Sequence, residues 1–272
     1  MKKTLAIVLA LVLCLGILTG CGGSKAESKT IKIGATPTPH AEILAIAKDV
    51  LAEQGYTLDI VEYEDYVQPN NAVESGDLDA NYFQHTPYMD SFNADNGTHL
   101  VSVGLIHYEP FGIYAGKAAS IDELPDGGRV ALPNDPSNQS RALFLLQQEG
   151  LITIDPSVTV TDEANVYDVV DNPKNIEFVE MEAAQITNAL QDVDLAVING
   201  NYALAGGLNA GTDALAVEDA SGAVAQTYAN ILCVKEGNES SEAIQALLAA
   251  LQSEAVRSFI EETYSGAVVA IF

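Results

Sequence analysis

Residues 30–60 read TIKIGATPTPHAEILAIAKDVLAEQGYTLDI, a strand, a helix and a second strand in succession. Ile31, Ile33 and Ala35 alternate, as one face of a strand requires. Thr38-Pro39 has the form of a helix cap followed by proline at the first helical position. Ile43, Ile46, Ala47, Val50 and Leu51 recur at helical spacing, and Gly55 offers a stop. Leu58, Ile60 and Val61 supply the second strand. Such a unit is the building block of α/β domains.

The same grammar continues along the chain. A helix is predicted over Pro69 to Glu74, ended by Gly76, then a short strand over Ala80 to Phe83. Thr86-Pro87 repeats the cap-plus-proline signal for a helix through Met89 and Phe92. Leu100 to Ala115 reads as strand, interrupted at Glu109-Pro110. Arg129 to Leu132 is a strand, Asn134-Asp135-Pro136 a turn, and Ser137 a cap for a helix running to Gln148. Ile176 to Val179 is a strand, Ala183 to Leu190 a helix, and Leu195 to Ile198 an unbroken apolar strand. Tyr228 to Val234 is a further strand, followed by helices at 242–251 and 254–264. The expectation is α/β architecture on mainly parallel sheets.

The first twenty-one residues have another character. Lys2 and Lys3 precede an apolar run from Leu5 to Leu18, and Leu18-Thr19-Gly20-Cys21 follows. The run suits a secretory leader and is too short and one-sided for a comfortable membrane span. Its ending resembles the bacterial lipoprotein signal. That resemblance implies a signal peptide over 1–20, cleavage before Cys21 and lipid on its sulfur. Residues 21–28, small and polar, read as a flexible tether. The remainder is long enough for one large domain or two lobes with real cores. A net charge of −26 argues against nucleic acid or an anionic bilayer surface as a partner. Of three cysteines, Cys14 lies in the leader and Cys21 at the lipid position. Cys233, inside Ile231-Leu232-Cys233-Val234, reads as a buried strand thiol.

Two segments concentrate chemistry. In Asn134 to Arg141 (NDPSNQSR), a cap at Ser137 would place Asn138 in the first turn and Arg141 one turn on, beside the unpaired N–H groups of a helix start. That is a receptor for an anion, or equally a solvated arginine on an ordinary capped helix. Tyr66 and the run Asn81 to Tyr88 (NYFQHTPY) crowd aromatics and His85 around a strand-to-helix turn. Tyr66, Phe83 and Tyr88 could enclose a thioether, or simply pack a core. Asn199 and Asn230 flank apolar strands with amides that both donate and accept. No G-x-S-x-G elbow, Walker A sequence or H-E-x-x-H is present. His40, His85, His99 and His107 are scattered without metal-ligand spacing, so neither a metal site nor a cofactor is expected.

Taken in order, 65–70 (DYVQPN), 79–85 (DANYFQH), Pro87-Tyr88, 134–136 with Asn138 and Arg141, 196–199 (AVIN) and 228–231 (YANI) resemble the methionine-binding lipoproteins of ABC importers, the MetQ/NlpA family. The resemblance runs from about Thr30 to Phe272. It implies a two-lobed periplasmic-binding-protein fold of type II, with the ligand cleft between lobes. Lobe 1 would take 29–110 plus 229–272, and lobe 2 would take 111–228, with hinges near Glu109-Pro110 and Tyr228-Asn230. Arg141 would pair with an amino-acid carboxylate. Asn138, Asn199 and Asn230 would bond its carboxylate or ammonium, and Tyr66, Phe83, His85 and Tyr88 would line the thioether side. The implied function is non-enzymatic: capture of L-methionine on the extracytoplasmic face and delivery to an ABC permease and its ATPase. The membrane would be reached through lipid on Cys21. A methionine-containing dipeptide, methionine sulfoxide or another amino acid is the alternative ligand, and an extracytoplasmic enzyme or adhesin the alternative class. Two departures stand out: Pro110-Phe111-Gly112 where relatives often carry Pro-Met-Gly, and Gly200, a place that varies among relatives.

Overall fold

A computed structural model describes residues 29–159, 162–219 and 223–272. The leader, Cys21 and the tether at 21–28 lie outside them. In chain order the elements begin β1 (Thr30–Ala35), α1 (Glu42–Glu53), β2 (Thr57–Glu62), α2 (Gln68–Ser75), β3 (Ala80–His85), α3 (Thr86–Asn96) and β4 (Leu100–Tyr108). They continue with β5 (Gly112–Ala115), β6 (Arg129–Pro133), α4 (Pro136–Gln148), β7 (Thr153–Ile154), β8 (Val169–Asp171), β9 (Glu177–Met181), α5 (Ala183–Ile186), β10 (Leu195–Ile198), α6 (Gly200–Ala205) and β11 (Ala216–Val217). The last are α7 (Ala223–Thr227), β12 (Asn230–Lys235), α8 (Glu242–Leu251), α9 (Glu254–Tyr264) and β13 (Val269–Ala270).

The strands form two main sheets. One has the order β13-β4-β12-β3-β1-β2 and the other β11-β5-β10-β6-β9, with a small β7-β8 ribbon beside them. Both are mixed, which corrects the expectation of mainly parallel sheets. β1 runs parallel to β2 and β3, but β12 runs antiparallel to β3 and β4. The reason is connectivity. The chain leaves the first sheet at the end of β4 and returns at Asn230, at that same end, so β12 must run the opposite way. In the second sheet β10 is parallel to β6 and antiparallel to β5.

Each sheet has its own core. Ile31, Ile33, Leu232 and Val234 on one face of the first sheet meet Ile43, Leu44 and Leu51 of α1 and Leu247 of α8. The opposite face puts Ile231 and Cys233 against Phe83, Met89 and Phe92. Successive residues of β12 thus serve opposite faces, and the thiol is buried as expected. In the second sheet Val130, Leu132, Leu195 and Val197 pack on Leu143 and Leu146 of α4. Each fully buried Leu or Ile contributes about 1.5–3 kcal/mol. The helix start expected at Thr38-Pro39 is displaced: that peptide is cis, Thr38 is extended (φ −125, ψ 140), and α1 begins at Glu42. Helix α2 ends as predicted at Gly76, whose φ of 82 is the left-handed conformation that glycine supplies cheaply.

One exposed tie joins α2 to the far edge of the first sheet. Glu74 accepts the His99 backbone N–H at 2.8 Å and lies 2.9 Å from Lys235 Nζ. The His99 N–H, then Lys235, hold its carboxyl down at about 2, against an ordinary value of 4.5. A depressed carboxylate stabilises the fold above its unfolded pKa and loses that contribution as pH falls through the folded value. Glu74→Gln is therefore expected to be less stable than wild type at pH 6 and equal to it near pH 2. Denaturation midpoints at both pH values check this, and a gap that persists at pH 2 would refute it.

Candidate ligand-binding site

The first and second sheets point their crossover ends at one another, and a narrow cavity lies between those ends. It is lined by Tyr66, Phe83, Gln84, His85, Tyr88, Glu109, Asn138, Arg141, Asn199, Gly200, Asn201 and Asn230. All eight residues singled out in the sequence are among these twelve. Strand ends supply them: β3 ends at His85, β10 leads into Asn199, β12 starts at Asn230, and Glu109 follows β4. This is the edge at which α/β sheets place ligands.

Two helix starts aim groups inward, and both caps differ from the sequence expectation. α4 is capped by Asp135, not Ser137: its carboxylate accepts the Asn138 N–H at 3.0 Å, and Pro136 takes the first helical position. Aspartate caps at least as well as serine, and proline after it needs no N–H. Asn138 is consequently third in the helix, and Arg141 still stands one turn on. α3 is capped by His85 rather than Thr86, through its Nδ1, which accepts the Tyr88 N–H at 3.2 Å. Burial, then Arg141, pull His85 down to about 3, so the ring is neutral. With Nδ1 accepting, His85 Nε2–H donates to Asn138 Oδ1 at 3.2 Å.

Asn138 is a hub. Its Nδ2 donates to Asp135 at 2.9 Å, and its Oδ1 also accepts from Asn199 Nδ2 at 2.8 Å. Asn199 Oδ1 is buried with no hydrogen-bond partner among the described residues. A buried acceptor left unpaired costs about 1–3 kcal/mol, so this oxygen favours a donor entering the cavity.

Arg141 is buried between two rings, its Cζ 4.8 Å from the Phe111 centroid and 4.6 Å from that of Tyr228. Its Nε donates to Glu218 at 2.8 Å, and its Nη2 donates to Glu218 and to the Glu109 carbonyl at 2.9 Å. Burial works against this charge, but Glu218 outweighs it and the net shift is upward, so the guanidinium stays ionised. Among the described residues Nη1 donates to no protein acceptor. Glu218 also accepts the Phe111 N–H at 3.0 Å and the Tyr108 hydroxyl. The sequence reading missed Glu218, because a buried arginine demands an acidic partner but any of 38 acids could have been the one.

The aromatic wall is real. Tyr66 lies 5.5 Å from both Phe83 and Tyr88, and Phe83 lies 6.1 Å from Tyr88. Tyr66 also reaches across the cleft: its hydroxyl donates to Asn201 at 2.5 Å, and its ring stacks on Tyr202 at 4.9 Å. Tyr202 in turn donates to the Glu64 carbonyl at 3.1 Å. Gln84, Gly200 and Asn201 also line the cavity, and the sequence assigns none of them a role. The sequence reading treats Glu109 only as a chain crossover, yet it is the one acid among the described cavity residues, as Arg141 is their one cation. The histidines are less scattered than their spacing suggests: His40, His107 and Glu109 place one ligand-type atom each within 4.8 Å of one another.

Residues 31–272 match the family model described as NlpA lipoprotein. The chain is 40% identical to the methionine-binding lipoprotein MetQ of Bacillus subtilis (strain 168), covering all of this chain and 99% of that protein. A solved structure from Ruminococcus gnavus ATCC 29149 is 51% identical with a TM-score of 0.88, over 90% of this chain and 100% of the other. The structure of a nutrient-binding protein from Burkholderia cenocepacia, bound to methionine, is 41% identical with a TM-score of 0.85, over 89% and 100%. Sequence and architecture agree across nearly the whole described chain, and the chain belongs to the NlpA lipoprotein family, substrate-binding proteins of ABC transporters rather than enzymes.

Proposed function

We propose that this protein captures L-methionine outside the cytoplasm and presents it to an ABC permease and its ATPase, tethered through lipid on Cys21. The observation that carries the reading is the pairing of opposite charges in one small cavity. Arg141 offers Nη1 to a carboxylate. Glu109 and the unpartnered Asn199 Oδ1 offer acceptors to an ammonium. Tyr66, Phe83 and Tyr88 form an apolar wall suited to a thioether, whose sulfur contacts ring edges favourably. Relatives whose names specify methionine or D-methionine support methionine as the ligand.

Size favours a single amino acid over a dipeptide. The cavity is narrow, with the Tyr66 and Tyr88 rings only 5.5 Å apart on its wall. A longer ligand would have to part Tyr66 from Tyr88. Methionine has about nine heavy atoms, so a ceiling of ~1.5 kcal/mol per atom allows roughly 13 kcal/mol. Nanomolar binding takes about 12 kcal/mol, which demands near-complete enclosure. Enclosure by closure of two lobes, 29–110 with 229–272 against 111–228, meets that demand. The chain crosses between sheets near Glu109-Pro110 and returns near Tyr228-Asn230, and these two stretches act as the hinge. Tyr66–Asn201 and Tyr202–Glu64 then fasten the closed form.

Purified protein is expected to release L-methionine on denaturation, identified by mass spectrometry, and the refolded, ligand-free protein to bind it in calorimetry with submicromolar Kd. Release of a dipeptide or the sulfoxide, or no heat with methionine, would overturn this reading.

A further inference from the structure

Behind the cavity, and not lining it, stand two buried imidazoles. His40 follows β1, and His107 is the next-to-last residue of β4; their ring centroids are 5.1 Å apart. His107 Nε2 lies 2.7 Å from Glu109 Oε1. His40 Nε2 lies 3.3 Å from the same oxygen and 2.9 Å from Asn230 Oδ1. On the far side, His40 Nδ1 meets the Thr36 hydroxyl at 2.7 Å, and His107 Nδ1 meets the Tyr82 hydroxyl.

The chemistry of these partners fixes the hydrogens. Burial pulls His40 down to about 4 and His107 to about 3, so each ring is neutral and carries one N–H. An amide oxygen only accepts, so His40 carries its hydrogen on Nε2 and Thr36 donates to Nδ1. An ionised Glu109 asks the same of His107, with Tyr82 donating behind it. Two relays result, Thr36 to His40 to Asn230 and Tyr82 to His107 to Glu109. Both end on groups that line the cavity.

We propose that His40 and His107 are positioning residues for ligand capture: they hold Glu109 as an acceptor-only carboxylate and turn the Asn230 amide N–H₂ toward the ligand. This rests on the reading of Glu109 as the acceptor for the ligand's ammonium. Desolvation pushes the Glu109 carboxyl upward, toward the protonated form that would donate where it must accept. His40, the Arg141 charge and the Asn201 backbone N–H oppose that push without cancelling it, and the His107 Nε2–H, 2.7 Å from Oε1, is the donor placed to stabilise the charged form further. The other titratable groups facing Glu109 are the phenols of Tyr66, Tyr82, Tyr114 and Tyr264, all neutral. Glu218 is committed to Arg141. The His107–Glu109 pair is too close for a metal shared by the two. Two donors on a tetrahedral zinc at ~2.0 Å are about 3.3 Å apart, whereas the His107–Glu109 contact has hydrogen-bond length.

The test is methionine affinity against pH. Wild type is expected to be flat from pH 5 to 8. His107→Phe is expected to bind about tenfold to hundredfold more weakly at pH 7 and to gain affinity as pH rises and Glu109 ionises. His107→Gln, which keeps an N–H donor, is expected to restore the flat profile. An unchanged affinity in His107→Phe, or a uniform loss with no pH dependence and no rescue by glutamine, would overturn the proposal. If the variant fails to fold, ¹⁵N imidazole spectra of the unaltered protein decide: both rings are expected as neutral Nε2–H tautomers down to pH 5, and an Nδ1–H or charged ring refutes the relay. Stoichiometric zinc that is lost in His107→Gln would also refute it. Glu109→Gln separates the premises: wild-type affinity in that variant defeats the ammonium reading itself, whatever the histidines do.

Discussion

Arg141→Ala is expected to weaken methionine binding at least about a hundredfold, read by calorimetry on ligand-free protein. Truncating one partner of a buried, hydrogen-bonded charge pair typically costs about 2–5 kcal/mol of affinity. Here the side chain is the single cation among the described cavity residues, and replacing it leaves a carboxylate ligand no countercharge from them. The same substitution also strands Glu218, which is buried and bound to Arg141 through both oxygens. An uncompensated buried charge of this kind costs about 3–5 kcal/mol of stability. The two losses are separable. Arg141→Met with Glu218→Leu removes both charges from the sandwich between Phe111 and Tyr228, and is expected to recover part of the stability and none of the affinity. Wild-type affinity in Arg141→Ala would sink the site assignment.

The second large effect belongs to a residue with no side chain. A Cβ on Gly200 would lie 2.6 Å from Glu109 Cβ and 2.7 Å from its Oε2. Glu109 cannot swing clear, because His107 holds its carboxylate and Arg141 its carbonyl. Gly200→Ala is therefore expected to cost about 1–3 kcal/mol of stability through overpacking and about a hundredfold in affinity through the displaced carboxylate. Gly200→Ala with Glu109→Gly removes every Glu109 side-chain atom the new methyl would meet, the Cβ included, so its melting temperature is expected above that of the additive sum of the two single changes while binding stays weak. Additive losses in stability would show that the contact is slack and the argument wrong.

The site was legible in the sequence where local chemistry is sufficient. Aromatics beside a polar turn, an arginine one turn into a capped helix and amides at strand ends all lie on the cavity. Helices α8 and α9 lie where the apolar spacing puts them, and Ser241 and Ser253 cap them. What stayed hidden depends on contacts between distant segments. His40 and His107 are separated by most of the first sheet, and only the pairing of β12 with β4 sets Asn230 opposite His107. Glu218 follows a two-residue strand that has no room for a period. The mixed sheet order was unreadable for a similar reason: β12 is as apolar as a parallel core strand, and burial on both faces produces that pattern in either direction. The caps at Asp135 and His85 were misread by one or two positions because Pro136 and Pro87 permit more than one start.

The placement of β12 bears on how such a chain is made and exported. In the first sheet β12 lies between β3 and β4, yet more than a hundred residues separate it from β4 along the chain. A polypeptide delivered amino end first must carry β3 and β4 with exposed, unsatisfied edges until residue 235 arrives to zip them together. Until then there is no Asn230 and no complete cavity, so the nascent or translocating chain is blind to its cargo. A chain that stops short of residue 235 cannot form the proposed site, and the same late zipper leaves the facing edges of β3 and β4 open to mispairing until then.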